Sequence, residues 1–286
     1  MIKVVQSVFG VSLQDQGRIG YAHLGVPISG AMDQYASGLG NLILNNSKNS
    51  AVIEICMGAT SLDFLMDCSI CITGAHFNAK INQQAVNLNT IISIKAGDRL
   101  QFGKREYGVY TYISVKNGLL TEKKLGSQSQ YKGITKTNKY TKGMLIPINA
   151  NTCLTHSSTA KIKVNKEHFN HKILECYPGP EYDLLNPKQK KLLSQPFSLS
   201  NNLSRMGIQL NEKVPNQLAS MLTSSVLQGT VQLTPSGTLI VLMRDAQVTG
   251  GYPRVLQLSQ KAINQLAQKT TGDWVEFVLV GGGNSI

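Results

Sequence analysis

Short apolar stretches separated by turn residues occupy most of the chain. Apolar and polar residues alternate from Ile2 through Val4 and again from Val11 to Leu13, and this period of two predicts strands. Further short apolar runs are divided by Gly, Asn and Asp, and they lie at 51–56, 69–75, 91–102, 108–115, 172–179, 206–210, 229–233, 238–243 and 274–280. Such spacing is typical of antiparallel barrels and sandwiches, so we expect a mainly β protein.

Three segments have helical features instead. Apolar residues recur at helical spacing within 31–46, although internal glycines weaken this helix. Asn186 and Pro187 predict the start of a short helix that continues to Leu193. Ser259 is a suitable N-cap for a third helix over 261–269. The predicted fold class is therefore mainly β with short helices, an α+β arrangement.

One local pattern occurs twice in the chain. Residues 15–21 contain an Asp, two glycines and a Tyr before a predicted helix, and residues 245–252 contain the same residue types in the same order. The repetition favours two related β-rich units, which we place at 1–165 and 166–286, with an exchange of strands between them left open. Residues 122–142 are polar and lack periodicity, which predicts an exposed loop.

Composition excludes a mostly disordered chain, because hydrophobic residues make up 42% and charged residues only 15%. The net charge of +12 raises the question of nucleic acid. The lysines are dispersed, however, and neither an aromatic-rich RNA-binding signature nor a helix-turn-helix pattern accompanies them. We therefore interpret the charge as a solvated basic surface and expect no nucleic-acid partner.

Cysteine usage and the N-terminus bear on location. The five cysteines are odd in number and irregularly spaced, which favours reduced thiols. Cys68 and Cys71 form a C-x-x-C inside an apolar run, so we expect strand packing there rather than a metal or redox site. No signal-peptide core and no span of transmembrane length is present. We expect a cytoplasmic protein without a membrane association.

Several well-known catalytic signatures are missing from the sequence. It contains no G-x-x-x-x-G-K-[ST] loop, no G-x-S-x-G elbow and no H-E-x-x-H, and its histidines have no metal-site spacing. We therefore expect no metal site. His23 is a candidate acid or base beside Arg18 and Tyr21, with a hydrogen-bonded structural histidine as the alternative.

Two glycine-punctuated stretches, at 14–33 and 244–254, combine polar and flexible residues where a core would contain neither. Glycines allow ligand or partner atoms to approach the main chain closely. Ser29 and Asp33 lie near a predicted helix start, where backbone amides attract negative charge. The alternative is that Ser29 is only a helix cap and the glycines only form turns.

These same stretches resemble the allophanate hydrolase subunit 2 family. The segments that carry the resemblance occur in the family's order over nearly the whole chain, and they are QDQGRIGYAHLGVPISGAMD, AVIEICMGATSLDF, ITGA, NNLSRMGIQL and MRDAQVTGGYPRV. The family includes the carboxyltransferase part of urea carboxylase, the C subunit of bacterial 5-oxoprolinase and the antagonist of a sporulation-kinase inhibitor. The chain departs from the family pattern in its middle, at 116–118 and 126–130.

The resemblance implies a pair of cyclophilin-like β-barrel units and a multi-subunit enzyme. Expected partners are a subunit-1 homologue, similar to the B subunit of 5-oxoprolinase, and a lactam-opening protein similar to its A subunit. The implied reaction is the ATP-dependent hydrolysis of 5-oxo-L-proline to L-glutamate, with ATP and Mg²⁺ used by the complex. Phosphorylation of the amide oxygen would make the carbonyl carbon open to attack by water, and Arg and main-chain amides would stabilise the charge.

The resemblance also implies roles for individual residues. Arg18, Arg205 and Arg254 are candidate anion clamps, while Asp33, Glu54 and Asp245 are candidate acids, bases or orienting groups. The expected catalytic set is Arg18, Asp33, Glu54, Arg205 and Asp245. The expected substrate-binding set is Tyr21, His23, Ser29, Gly30, Gln247, Thr249, Gly250, Gly251, Tyr252 and Arg254. Structural alternatives are a turn brace for Arg205 and a buried ion pair for Glu54.

Two other functions use the same motifs. One is a biotin-dependent carboxyltransferase acting on an amide such as urea, which needs a separate biotinylated carrier because this chain has no Met-Lys-Met and carries no biotin. The other is a non-catalytic antagonist of a kinase inhibitor, which would bind the subunit-1 homologue without ATP turnover.

Overall fold

The computed structural model describes residues 1–149, 166–219 and 221–280. The chain divides into two compact units, Met1–Ile19 with Ser29–Lys166 and Gly20–Ile28 with Glu167–Ile286. The short segment Gly20–Ile28, which the sequence-based division placed in the first unit, thus groups with the second.

The first unit contains eleven strands and one α-helix within its described residues. They are β1 (Ile2–Ser7), β2 (Val11–Gln14), α1 (Gln34–Ile43), β3 (Val52–Cys56), β4 (Thr60–Phe64), β5 (Cys68–His76), β6 (Lys80–Ile81), β7 (Gln84–Ala85), β8 (Ile92–Ile94), β9 (Arg99–Gln101), β10 (Tyr107–Val115) and β11 (Leu145–Ile146).

The strands of the first unit form two sheets around one apolar core. One sheet has the order β11-β1-β4-β9-β6-β7 and the other β2-β3-β10-β5-β8. Neighbouring strands are antiparallel, so that Ile113 of β10 pairs with Ile53 of β3 and with Ile72 of β5. These three side chains are fully buried, and the same core contains Ile2 and Phe64 from the other sheet. Alternation along the strands places the apolar faces of both sheets inward.

Helix α1 packs on β5 and β10. Gly40 makes the close approach possible, because a Cβ atom at this position would lie 2.6 Å from Ser114 Oγ and 3.2 Å from Thr73. The Thr73 hydroxyl also donates a hydrogen bond to the carbonyl of Ala36 at 2.7 Å. A glycine that weakens the helix in isolation therefore allows it to dock tightly on the sheet.

The second unit contains nine strands and three α-helices within its described residues. They are α2 (Glu167–Asn170), β12 (Ile173–Pro178), α3 (Pro187–Leu193), β13 (Phe197–Leu203), β14 (Gly207–Lys213), β15 (Ser224–Ser225), β16 (Thr230–Leu233), β17 (Thr238–Leu242), β18 (Thr249–Gly250), β19 (Arg254–Leu258), α4 (Gln260–Ala267) and β20 (Trp274–Leu279). Short 3-10 helices lie at Ala22–Leu24 and Tyr182–Leu184.

Seven of these strands close into a barrel in the order β12-β19-β16-β17-β14-β13-β20. The pair β12–β20 is parallel and the other named pairs of the barrel are antiparallel. Fully buried residues fill the interior, among them Leu174, Leu199, Val231, Val241 and Val275. The strands β15 and β18 form a separate two-stranded ribbon.

The predicted fold class, mainly β with short helices, is confirmed. The barrel is closed in the second unit, whereas the first unit has two sheets around one core. The predicted helix starts are also found: Asn186 and Gln189 form a reciprocal capping box on α3, and the Ser259 hydroxyl accepts from the Ala262 amide on α4. Among the described residues, no helix is both long enough and apolar enough to cross a membrane.

Two predictions for the first unit, one for the C-x-x-C and one for residues 122–142, can be compared with the structure. Cys68 and Cys71 are both buried in β5, and burial raises the pKa of the Cys71 thiol to about 12, as expected for strand packing. The predicted exposed loop at 122–142 is partly wrong, because Ser127 and Ser129 are fully buried and Gln130 nearly so. Hydrogen bonds with Asp15 and Arg18, which lie near the start of the chain, hold this segment in place.

Candidate active site

The segment at 27–33, which contains the P-x-S-G-A-M-D motif, is fixed by buried polar groups. The Asp33 carboxylate caps α1 by accepting hydrogen bonds from the amides of Tyr35 and Ala36, both at 3.1 Å. The amide of Met32 donates to Glu54 at 2.8 Å. The helix cap is therefore Asp33 rather than Ser29, and Asp33 itself occupies amides that were candidates for anion binding.

Tyr112 completes this buried cluster beneath the motif. Its hydroxyl accepts a hydrogen bond from the Asp33 amide at 2.8 Å. Burial, together with the negative charges of Glu54 and Asp33, raises the pKa of Tyr112 well above its ordinary value. The phenol therefore stays neutral, and the three side chains position the motif. Acid or base roles for Asp33 and Glu54 remain predictions.

Gly30 allows the motif at 27–33 to approach the beginning of the same glycine-punctuated stretch, at Gln16 and Gly17. Its φ of 98° favours glycine, and a Cβ atom there would lie 3.0 Å from the carbonyl carbon of Gln16 and 3.1 Å from the amide of Gly17. Ser29 is also in the left-handed region, with φ 58°, and is fully buried. The two ends of the stretch at 14–33 therefore pack directly on each other within the first unit.

Asp15 organises the central loop, at 126–130, in which the chain departs from the family pattern. One carboxylate oxygen accepts hydrogen bonds from the Ser127 hydroxyl at 2.7 Å, the Ser129 hydroxyl at 2.6 Å and the Gly17 amide at 2.8 Å. The other oxygen accepts from the Gln128 amide at 2.6 Å. The two serines of this loop therefore hold the loop against Asp15.

Arg18, a predicted anion clamp, is 1% exposed. Its guanidinium donates a hydrogen bond to the carbonyl of Ser129. Arg18 therefore reinforces the same loop from inside the first unit, and its role toward a ligand remains a prediction.

Tyr21 and His23 belong to the segment that groups with the second unit. Tyr21 precedes the 3-10 helix Ala22–Leu24 and is half-buried, while His23 is exposed. The exposed His23 is accessible to ligands, and both its candidate role as an acid or base and the alternative of a hydrogen-bonded structural histidine remain predictions.

Arg205 and Asp245 form a fork-to-fork ion pair in the second unit. Arg205 Nε lies 2.7 Å from one Asp245 oxygen and its Nη2 lies 3.0 Å from the other, with both side chains less than one-fifth exposed. The Asp245 amide also donates to the Arg205 carbonyl at 2.7 Å. Sequence analysis assigned separate roles to these residues, but the structure couples them into one neutral unit.

Arg254 forms a second such pair with Glu181. The guanidinium donates to the two Glu181 oxygens at 2.9 and 2.7 Å, and the Arg254 amide donates to the same carboxylate at 2.8 Å. The hydrogen bonds from Arg254 hold the pKa of Glu181 below its ordinary value and raise the pKa of Arg254. Arg254 is therefore engaged by a carboxylate that sequence analysis did not identify.

Replacing Glu181 with glutamine is expected to lower the free energy of unfolding by about 1–2 kcal/mol at neutral pH. The lowered pKa means that Glu181 stabilises the fold above its unfolded pKa, near 4.5, and that this contribution disappears as the pH falls through the folded pKa. Urea denaturation at neutral pH and below pH ~4 should show the difference between the two proteins shrinking with acid. Glu175→Gln, at the exposed pair with Lys261, is the control. A difference that stays constant with pH would contradict the assignment.

Two polar residues of the second motif border a cleft of about 470 Å³ in the second unit. Gln247 and Tyr252, both predicted to bind substrate, line it together. Thr249 and Gly250 form β18, and Gly251 follows with its carbonyl accepting from the Met221 amide at 3.1 Å. The cleft is also lined by Asn201, Asn202, Leu203, Ser204, Met206, Gly207, Gln209, Gln232, Ile240 and Leu242.

Sequence reasoning missed several residues of these clusters. Asp15 appeared only as part of a repeated pattern, and Glu181 and Gln232 were not singled out. A sequence signal existed for Gln232, because it is polar within a short strand whose neighbours, Val231 and Leu233, are core residues. Within the described ranges, no group of three or more His, Cys, Asp or Glu side chains is arranged to hold a metal ion.

Comparison with known proteins identifies the family. Residues 24–279 match the family described as carboxyltransferase domain, subdomain A and B. The chain belongs to this family. It is also similar to the C subunit of 5-oxoprolinase from Escherichia coli, at 30% identity over 97% of this chain and 91% of that protein. The C subunit of the Haemophilus influenzae 5-oxoprolinase is 28% identical over 98% of this chain and 91% of that protein.

Urea-processing proteins are similar in sequence over a shorter part of the chain and similar in structure over nearly all of it. A urea amidolyase of Saccharomyces cerevisiae is 34% identical over 42% of this chain, which corresponds to 7% of that protein. The crystal structure of the K. lactis urea amidolyase superposes with a TM-score of 0.85 at 22% identity, covering 98% of this chain and 19% of that one. The family relationship suggested by the sequence motifs is therefore confirmed.

Proposed function

We propose that this chain is the C-type subunit of an ATP-dependent 5-oxoprolinase, a complex that hydrolyses 5-oxo-L-proline to L-glutamate. The observation that carries the proposal is the similarity to two proteins named as the C subunit of 5-oxoprolinase, which extends over at least 97% of this chain and 91% of each relative. The partners are a B-type homologue of subunit 1 and an A-type, lactam-opening protein. The complex works in the cytoplasm.

In this proposal the cleft of the second unit contributes to substrate binding. Its wall combines carboxamides, a phenol and apolar side chains, which suits the uncharged lactam ring of 5-oxo-L-proline, with the carboxylate of that substrate directed out of the cleft. Arg205 lies between two cleft residues, Ser204 and Met206, and is held in place by Asp245. In this proposal the pre-positioned guanidinium directs hydrogen-bond donors toward an oxyanion that develops during the reaction, while Asp245 balances its charge.

ATP and Mg²⁺ are assigned to the complex rather than to this chain alone. The first amides of α1 are occupied by the Asp33 carboxylate, and Arg205 and Arg254 are each bound by a carboxylate. These groups therefore do not fit a preformed polyphosphate site.

A second candidate function is carboxyl transfer to an amide such as urea. The observation that favours it is the similarity to the S. cerevisiae urea amidolyase, which covers 42% of this chain. This function requires a biotinylated carrier protein, so dependence on such a carrier separates the two candidates.

Omission experiments test the proposal. This chain, its subunit-1 homologue and the lactam-opening protein are combined with 5-oxoproline and ATP, and ADP and glutamate are measured with each protein left out in turn. We expect stoichiometric ADP and glutamate from the full set and loss of at least 90% of turnover, roughly 1.4 kcal/mol in rate terms, without this chain.

The control is urea with bicarbonate and a biotinylated carrier in place of 5-oxoproline. Turnover that needs the carrier would replace the 5-oxoprolinase proposal with carboxyl transfer. Tight binding to the subunit-1 homologue, with 5-oxoproline turnover unaffected by this chain, would instead indicate the non-catalytic regulator.

A further inference from the structure

Gln232 is a buried residue in the wall of the cleft, and its carboxamide nitrogen has no hydrogen-bond partner among the described residues. It lies in the barrel strand β16 and is 2% exposed. Within the described part of the chain, no group forms a hydrogen bond with its amide nitrogen. Buried polar groups are normally paired, and an unpaired one is costly to the fold. The carboxamide nitrogen of Gln232, in the wall of a cleft and without a partner among the described residues, therefore points to a ligand that accepts its hydrogen bond.

The residues around Gln232 indicate the charge of the ligand group that would lie against them. None of the twelve residues that line the cleft carries a charge. The carboxamides of Asn202 and Gln209 bond to each other at 2.6 Å, which leaves Gln232 as a buried hydrogen-bonding group of the wall. Ile240 and Leu242 supply apolar surface beside it. The cleft thus favours an uncharged, partly apolar group that has its own hydrogen-bonding edge.

Gly250 controls the space in front of the Gln232 carboxamide. A Cβ atom at Gly250 would lie 2.5 Å from Gln232 Nε2, a distance that neither atom tolerates. Gly250 pairs with Ser224 in the β15–β18 ribbon, so a ligand that engages the shielded nitrogen would have to displace this ribbon. A side chain at Gly250 would crowd the carboxamide further.

We propose that Gln232 is the specificity-determining residue of this cleft and binds the N–H and C=O edge of a cyclic amide or a urea. A primary carboxamide presents one donor and one acceptor side by side. A lactam ring forces its amide to be cis, which places its own N–H and C=O on one edge, and urea has the same edge. Open-chain secondary amides are trans and cannot form both hydrogen bonds at once. The choice of a lactam over a urea rests on the proposed function.

Small neutral probes test this inference on the full chain. Binding is measured by ligand-observed nuclear magnetic resonance for 2-pyrrolidinone, urea, N-methyl-2-pyrrolidinone, which has no N–H, and N-methylacetamide, which is trans. We expect 2-pyrrolidinone to bind at least about tenfold more tightly than either methylated probe, because both lose one of the paired hydrogen bonds. Tighter binding of 2-pyrrolidinone than of urea supports a lactam, rather than a urea, as the ligand of the cleft.

Two variants and one matched control assign the binding to Gln232. Gln232→Met keeps the length of the side chain and removes the carboxamide, so the affinity for 2-pyrrolidinone should fall about tenfold or more. Gln195→Met makes the same change at an exposed position of the second unit and should leave the affinity unchanged. Gly250→Ala retains Gln232 but crowds its carboxamide, and it should weaken binding even if Gln232→Met does not fold.

The outcomes separate this inference from the proposed function. Absence of 2-pyrrolidinone binding, equal binding of the methylated probes, or binding that survives both variants would overturn the role of Gln232. Turnover by the full complex together with any of those results would leave the proposed function intact. Gln232-dependent binding without turnover by the complex would retain the site and reject the 5-oxoprolinase assignment.

Discussion

Replacing Asp15 with alanine is expected to lower the free energy of unfolding by about 3–4 kcal/mol. The carboxylate accepts four hydrogen bonds, from the amides of Gly17 and Gln128 and from the hydroxyls of Ser127 and Ser129. Alanine leaves these donors without their acceptor, and the serine hydroxyls are fully buried. Urea denaturation followed by circular dichroism measures the loss.

Asp15→Asn tests whether the central loop depends on two acceptor oxygens or only on the shape of the side chain. An asparagine has one acceptor oxygen and one donor nitrogen, whereas each Asp15 oxygen accepts from a backbone amide, Gly17 on one side and Gln128 on the other. In either orientation one N–H therefore faces another N–H. We expect a substantial loss of stability and faster tryptic cleavage at the lysines of 123–136.

The control for both variants is Asp183→Ala, at a side chain that is 94% exposed. It should change neither the unfolding transition nor the pattern of cleavage. If Asp15→Ala behaves like this control, the central loop is not anchored by the carboxylate.

Local sequence patterns were sufficient to predict most elements of the fold. Strand periodicity in 2–14 and 51–115 and the caps at Asn186 and Ser259 depend on neighbouring residues only, so they can be identified without tertiary information. The loop at 122–142 was predicted to be exposed because it lacks periodicity. Its burial comes from Asp15, which lies 112 residues before Ser127, and no local pattern records a partner at that distance.

The same limit applies to the candidate site. The motifs drew attention to Asp33, Arg205 and Asp245, and the structure shows that all three are buried or half-buried. They did not indicate that Arg205 pairs with Asp245 across 40 residues, or that Arg254 pairs with Glu181 across 73. Charged residues in a glycine-rich motif look like free ligand-binding groups until the tertiary structure shows what neutralises them. The roles of the predicted site residues toward substrate remain predictions.

Replacing Asp245 with alanine is the second change with a large expected effect. It leaves the Arg205 guanidinium, which is 18% exposed, without the carboxylate that binds it through two hydrogen bonds. Removing one partner of a largely buried ion pair leaves an uncompensated charge, and we expect a loss of about 2–4 kcal/mol in the free energy of unfolding. Urea denaturation at neutral pH measures it.

A double-mutant cycle with Arg205→Ala determines whether the two residues act as one unit. The double variant should be destabilised by less than the sum of the single variants, with a coupling energy of about 1–3 kcal/mol. The same cycle at the exposed pair of Lys261 and Glu175 is the control and should give a coupling of about 0.2–1 kcal/mol. Equal coupling energies at the two sites would show that the Arg205–Asp245 pair contributes no more to stability than an exposed ion pair.

Arg205→Lys then separates structure from catalysis within the complex. Lysine retains the positive charge but loses the planar fork that binds both Asp245 oxygens, so it no longer holds a fixed position beside Ser204 and Met206 at the cleft. If a fixed guanidinium stabilises charge that develops in the reaction, kcat should fall about tenfold to a hundredfold while KM changes little. If Arg205 only holds the fold together, kcat per folded complex should equal that of the unmodified chain. The second result would remove Arg205 from the candidate catalytic set and leave it as a structural partner of Asp245.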